Sequence, residues 1–195
     1  MPKTKKRTYS KEDYSSSDGF LTSVWGPMLW SYLHTMSFNY PIEPTKQNKK
    51  HYMNFILNLQ NVLPCKYCRM NLTKNLKQLP LTMKTMESRE TFSRYVYDLH
   101  ELVNKMLNKK SGLTYTDIRD RYENFRSRCT EDKQIKQMLK PIQPKKTRKN
   151  IKEKGCTKPL YGKKSKCIIH IVPQENKGDT FQMDKKCVKS KTLKD

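Results

Sequence analysis

Cys65 and Cys68, in Cys65-Lys66-Tyr67-Cys68, are the residues of this chain whose type and spacing could do redox chemistry. A Cys-x-x-Cys pair on one helical turn brings two thiols within disulfide reach. Pro64 stands directly before them, so the pair falls at a helix start, where the positive end of the helix dipole lowers a thiol pKa. Taken alone the motif is also open to reading as half of a zinc site, as a thioredoxin-type motif or as two buried thiols. A structural zinc site needs a second ligand pair at short spacing. None of Cys129, Cys156, Cys167 or Cys187 forms another Cys-x-x-Cys, and the nearest histidines are His51 and His100. A thioredoxin motif follows a strand in an α/β pattern, whereas this one lies between helical segments. A dithiol in a helical bundle can exchange disulfides, but it needs an added electron acceptor to reach oxygen.

Two further pairs share helix faces. Trp30 and His34 are four residues apart, and so are His100 and Asn104. A lone histidine in an apolar stripe is ordinarily a satisfied core residue. Two such pairs flanking a Cys-x-x-Cys point instead to ligand contacts. Trp25 fits plain core equally well, and Lys110 plain surface.

The elements that must position these groups read as helices. Trp25-Gly26-Pro27 opens the first, with Pro27 in the first turn, and Tyr40-Pro41 closes it. Thr45 caps a second that carries Tyr52, Phe55, Ile56, Leu59, Val62 and Leu63 at helical spacing until Pro64 breaks it. A third runs from Cys65 to Leu79 and stops at Pro80. Ser88 caps the clearest one, whose stripe is Phe92, Tyr95, Val96, Leu99, Leu102, Val103, Met106 and Leu107. Ser111-Gly112 ends it, and Thr114 with Asp117 forms a capping box for a short fifth helix reaching about Phe125. No run between residues 21 and 129 alternates with period two. The expected fold is therefore all-α: a four-helix bundle plus a short fifth helix, followed by a basic, mostly irregular C-terminal extension.

The flanks differ from this domain. Residues 1–20 are polar and rich in Ser and Lys, and are read as a disordered segment. Residues 21–129 form the domain, and residues 130–195 form a Lys-rich extension. Of 41 Lys and Arg against 18 Asp and Glu in the 195-residue chain, nineteen basic and seven acidic residues lie in that extension. Such an excess draws anionic partners but says nothing about fold. No zinc-finger, aromatic RNA-binding or basic-zipper pattern accompanies the lysines. In the extension only Cys167-Ile-Ile-His-Ile-Val172 could make a strand. Its cysteines are either incidental to a solvated tail or a thiol shuttle feeding Cys65. No apolar stretch follows the basic residues near Met1, and none is long enough to span a bilayer, so a cytosolic protein without a secretory signal is expected. In that compartment a spaced cysteine pair is more often catalytic or metal-binding than a structural staple.

The residues also carry a family resemblance. In order these are Trp25-Gly26-Pro-x-x-Trp30-x-x-x-His34, Tyr40-Pro41-x-x-Pro44-Thr45, Phe55, Leu63-Pro64-Cys65-x-x-Cys68, Ser88-Arg-Glu-x-Phe92 and His100-x-x-Val103-Asn104-x-x-Leu107-x-Lys109. Their order and spacing resemble the Erv/ALR sulfhydryl oxidases over little more than half of the chain. The resemblance implies a helical bundle holding FAD, with a substrate mixed disulfide on Cys65 and Cys68 lying against the flavin. It implies that Trp30 and His34 pack on the cofactor, that His100 and Asn104 hold its adenine end, and that Lys109 meets its phosphates. Gly26, Val103, Leu107 and Tyr122 complete the implied cofactor contacts, and no metal site is implied. The implied partners are a protein dithiol or thioredoxin-like relay, oxygen as electron acceptor, and a second copy of the chain in a homodimer.

Two departures narrow the resemblance. Glu101 stands where the family usually has Asn, and the cysteine that pairs with Cys129 in cellular members is missing near Thr114. Leu107-Asn-Lys-Lys110, Tyr115 and Arg121-Tyr122 look instead like the compact oxidases of large cytoplasmic DNA viruses, which would place the protein in the host cytoplasm or the virion. Two rival readings stand beside this one: a flavin-free basic nucleic-acid-binding or virion-scaffold protein, and a zinc-binding module built on Cys65 and Cys68.

Overall fold

The computed structural model describes residues 10–17 and 19–128, and beyond them 158–159, 166–170, 172–173, 175–176, 182 and 184. After a single helical turn, α1 (Lys11–Tyr14), come α2 (Thr22–Phe38), α3 (Lys46–Val62), α4 (Lys66–Gln78), α5 (Arg89–Met106) and α6 (Tyr115–Glu123). The predicted four-helix bundle is α2 to α5, and α6 is its short fifth helix. α2 packs against α5, α3 against α4, and α5 also meets α4 and α6.

Local chemistry sets most of these starts. Thr45, Ser88 and Thr114 each accept the N–H of the residue three positions on, and that residue's side chain returns the bond in a capping box. α4 has no hydroxyl or carboxylate cap; Cys65 takes the position itself, its Sγ accepting the Cys68 N–H at 3.2 Å. α2 begins three residues earlier than the sequence suggested, with Leu21 as an N-cap that makes no side-chain bond. Pro27 therefore lies inside α2 and has no N–H to donate to the Ser23 carbonyl one turn back.

The core joins Leu33, Tyr40, Ile56, Leu59, Leu63, Leu72, Met86, Phe92, Tyr95, Val96 and Leu99. Each such side chain taken fully out of water contributes about 1.5–3 kcal/mol. Tyr40 is wholly buried because its hydroxyl donates to the Met86 carbonyl, while Arg89 Nε donates to the Tyr40 carbonyl. A smaller cluster of Phe38, Tyr115 and Ile118 seats α6. Phe55 and Val62, expected in the stripe of α3, are 39% and 61% exposed, and Met106 and Leu107 also face outward.

Residues before 21 have local structure where they are described. Ser10 caps α1, and the Phe20 N–H donates to the Pro64 carbonyl at 3.0 Å. At the other end Ser127–Arg128 pairs antiparallel with Lys158–Pro159, a two-residue ladder between domain and extension. Cys167–His170 carry no strand, contrary to one reading of that apolar run. Among the described residues no helix is long and apolar enough to cross a membrane.

Candidate active site

Pro64 ends α3 and delivers Cys65 to the first position of α4, so the two sulfurs meet across one turn. They form a disulfide with the Cα atoms 5.2 Å apart. Cys68 packs against the main core. The loop before the pair is held from two sides. The Leu63 carbonyl accepts the Cys65 N–H at 2.8 Å and Arg69 Nη1 at 2.5 Å. The Pro64 carbonyl accepts Phe20, and a Cβ on Gly19 would come within 2.5 Å of that oxygen. Trp25 Nε1 donates to the Phe20 carbonyl, tying this N-terminal segment to α2.

A second cluster is built on facing turns of α2 and α5. Trp30 stacks on His100 with ring centroids 4.0 Å apart and planes 5° from parallel. His34 Nε2 and His100 Nδ1 share a hydrogen bond at 3.0 Å. Tyr122 from α6 and Phe38 close the other side of His34. Burial pushes His34 down to about 3, with His100 nearby adding to the effect. Burial also lowers His100, to about 4, against a smaller opposing pull from Glu101. Both rings are therefore uncharged near neutrality. One N–H serves the bond between them, and His34 Nδ1 remains buried without a partner among the described residues.

The expected cofactor-contacting residues divide into four groups. Trp30, His34, His100 and Tyr122 come together. Asn104 lies one turn beyond His100, its side-chain amide donating to Glu101 Oε1, and half-buried Val103 is its neighbour. Leu107 and Lys109 are exposed past the end of α5, where the Lys109 N–H donates to the Asn104 carbonyl. Gly26 lies on the Trp30 face of α2 with open space over its Cα. Phe38 was missed, although it continues the four-residue series from Trp30 and His34. Arg69 was missed too, although it stands four residues after Cys65.

The donor set suits a flat heteroaromatic ligand with anionic groups. Uncharged imidazoles and an indole offer ring faces, His34 Nδ1 offers an unsatisfied buried polar atom, Gly26 leaves room for close approach, and Lys109 and Lys110 offer cations at the end of α5. Among the described residues no group of three or more His, Cys, Asp or Glu side chains gathers to hold a metal ion.

The chain is also similar to known proteins. The Erv1/Alr family profile matches residues 27–123. A relative from Acanthamoeba polyphaga mimivirus named "probable FAD-linked sulfhydryl oxidase" is 38% identical over 93 residues, which is 48% of this chain and 64% of that protein. The FAD-linked sulfhydryl oxidase of an African swine fever virus isolate from Kenya is 32% identical over 99 residues, covering 51% of this chain and 80% of the relative. The crystal structure of the yeast Erv1 core overlays with a TM-score of 0.48 and 28% identity, covering 63% of this chain and 94% of that one. None of these relatives is named as a nucleic-acid-binding or scaffold protein.

Proposed function

This chain belongs to the Erv1/Alr family, and on that premise we propose that it is an FAD-dependent thiol oxidase that makes disulfides in protein substrates. The observation that carries the proposal is a disulfide-bonded Cys65–Cys68 pair at the start of α4, in the same small bundle as the uncharged ring cluster of Trp30, His34 and His100. Residues 21–129 are the oxidase domain, with residues 1–20 and 130–195 as flanks.

A substrate thiolate attacks Cys65 Sγ, an S–S bond forms to the substrate, and the Cys65–Cys68 bond breaks with Cys68 leaving as thiolate. The substrate's second thiolate attacks its own sulfur in that mixed disulfide and Cys65 leaves. Two electrons have then passed from the substrate to Cys65 and Cys68, and the substrate carries the new disulfide. Cys68 is the sulfur assigned to face the cofactor, in keeping with its packing on the core. Gly26, Trp30, His34, His100, Val103, Asn104, Leu107, Lys109 and Tyr122 would hold FAD: the rings by stacking, Asn104 by hydrogen bonds, Lys109 at the phosphates. The chemistry FAD supplies when bound is acceptance of the electron pair and its delivery to oxygen, with hydrogen peroxide as product.

The substrate side is a protein dithiol or a thioredoxin-like relay, the chain pairs with a second copy, and the basic extension meets an anionic partner. A viral member would act in the host cytoplasm or the virion. The test is the visible spectrum of the purified chain together with oxygen uptake on dithiothreitol. A yellow protein that consumes oxygen supports the proposal. A colourless protein that stays inactive after FAD is added rejects it.

A further inference from the structure

We propose that Arg69 is a positioning residue for the redox disulfide: its guanidinium fixes the loop before Cys65 and holds Cys65 as thiolate when the pair is reduced. The assignment of Cys65 as the sulfur that receives the substrate rests on the thiol-oxidase reading.

Three observations carry this. First, Arg69 lies one turn beyond the cap cysteine of α4, the Arg69 N–H donating to the Cys65 carbonyl. Second, the half-buried Arg69 side chain runs back to the Leu63 carbonyl, the same oxygen that accepts the Cys65 N–H. Arg69 Nη1 and the Cys65 N–H thus converge on one oxygen, which brings the guanidinium beside the Cys65 backbone. Third, the two ion pairs among the described residues are Arg119–Asp120 and Arg126–Glu123, so no carboxylate within 4 Å neutralises Arg69.

Among the described residues, none around Cys65 opposes this cation. On α4 its charged neighbour besides Arg69 is Lys66, and the first turn holds no acidic residue. Gly19 and Phe20, seated on the loop, carry no titratable group, nor do Leu59 to Pro64 at the end of α3. α5 meets α4 at its far end, where the Tyr95 hydroxyl donates to the Leu79 carbonyl.

The consequence falls on the second exchange. When the substrate's second thiolate attacks the mixed disulfide, the bond to Cys65 breaks and Cys65 takes the electron pair. A leaving sulfur that is stable as thiolate leaves faster. The helix dipole and the Cys68 N–H favour that thiolate in any Cys-x-x-Cys at a helix start; Arg69 adds a cation to these.

A plainer role exists. Leu63 is the C-cap of α3, so Arg69 also closes the end of that helix, and losing a cap lowers stability alone. The two roles separate in the pH dependence of iodoacetamide alkylation at Cys65, followed by peptide mass mapping on the reduced full-length chain. Arg69→Lys keeps a cation and an N–H donor, whereas Arg69→Gln keeps a donor only. The half-alkylation pH of Cys65 should stay near wild type in Arg69→Lys and rise by about one unit in Arg69→Gln. That rise corresponds to about tenfold slower alkylation at pH values well below the wild-type midpoint. Arg69→Met, which is also neutral and unbranched, takes the place of the Gln chain if that chain does not fold. A neutral variant that melts earlier yet titrates Cys65 at the wild-type pH overturns the proposal and leaves Arg69 a helix cap. The titration needs no turnover, so failure of the oxidase reading would show separately, as absent oxygen uptake in the wild type.

Discussion

His34 and His100 show how single residues report on the site. Both are uncharged in the fold, pushed from an ordinary 6.5 to about 3 and about 4. The unfolded chain takes up protons below pH 6.5 that the folded chain refuses, so stability is intact above that pH and falls as pH drops. Both imidazoles withdraw stability between pH 6.5 and 4, each by up to about 1.4 kcal/mol per pH unit, and below 4 only His34 continues. Denaturant midpoints at pH 7, 5.5 and 4.5 should fall steadily, and the slope should flatten in a His100→Asn chain. Equal midpoints across that range would contradict the buried neutral pair. The residue types and their four-residue spacing made Trp30, His34 and His100 legible in the sequence. Arg69 was not legible, because nothing in a cation after Cys68 announces that it turns back to residue 63 rather than out to solvent.

Whole elements were legible where their ends carry their own chemistry. Thr45, Ser88 and Thr114 mark α3, α5 and α6 in the sequence and in the structure alike. α2 was misplaced at its start because Leu21 makes no side-chain cap and Pro27 imitates a first-turn proline. Periodicity also overreached: Phe55 and Val62 keep the spacing of Ile56 and Leu59, but spacing shows which face is apolar and not whether another helix covers it. Met86, fully buried in an irregular turn, had no periodic signal at all. The segment before α2 gives a test at this scale. Gly19 lies so close to Pro64 that a side chain there must displace one strand of backbone from the other. Gly19→Val should therefore cost about 1–3 kcal/mol in a thermal melt and slow thiol exchange at Cys65. A chain that melts and exchanges like wild type would show that the N-terminal segment does not hold the redox loop.

At the scale of the molecule, the linked motifs fall inside residues 21–129, which is why the family could be read from sequence while the extension could not. Its lysines speak of charge and not of shape. Cys129, Cys156 and Cys187 lie outside the described residues, and Cys167 is an exposed free thiol. Deleting residues 130–195 distinguishes a thiol shuttle from a solvated basic tail. A shuttle predicts that oxidation of a protein dithiol falls sharply while oxidation of dithiothreitol survives, through loss of a tethered thiol at high local concentration. Equal retention of both activities would leave the extension an electrostatic role, seen as salt-dependent binding to anionic partners. The central claim, that electrons enter through Cys65 and Cys68, is tested most directly without oxygen. Dithiothreitol is added anaerobically to the flavin-loaded wild-type and Cys68→Ser chains, and the visible flavin absorption is followed. The account predicts rapid bleaching in the wild type and a Cys68→Ser chain that binds flavin yet stays yellow; bleaching of Cys68→Ser at the wild-type rate would contradict it.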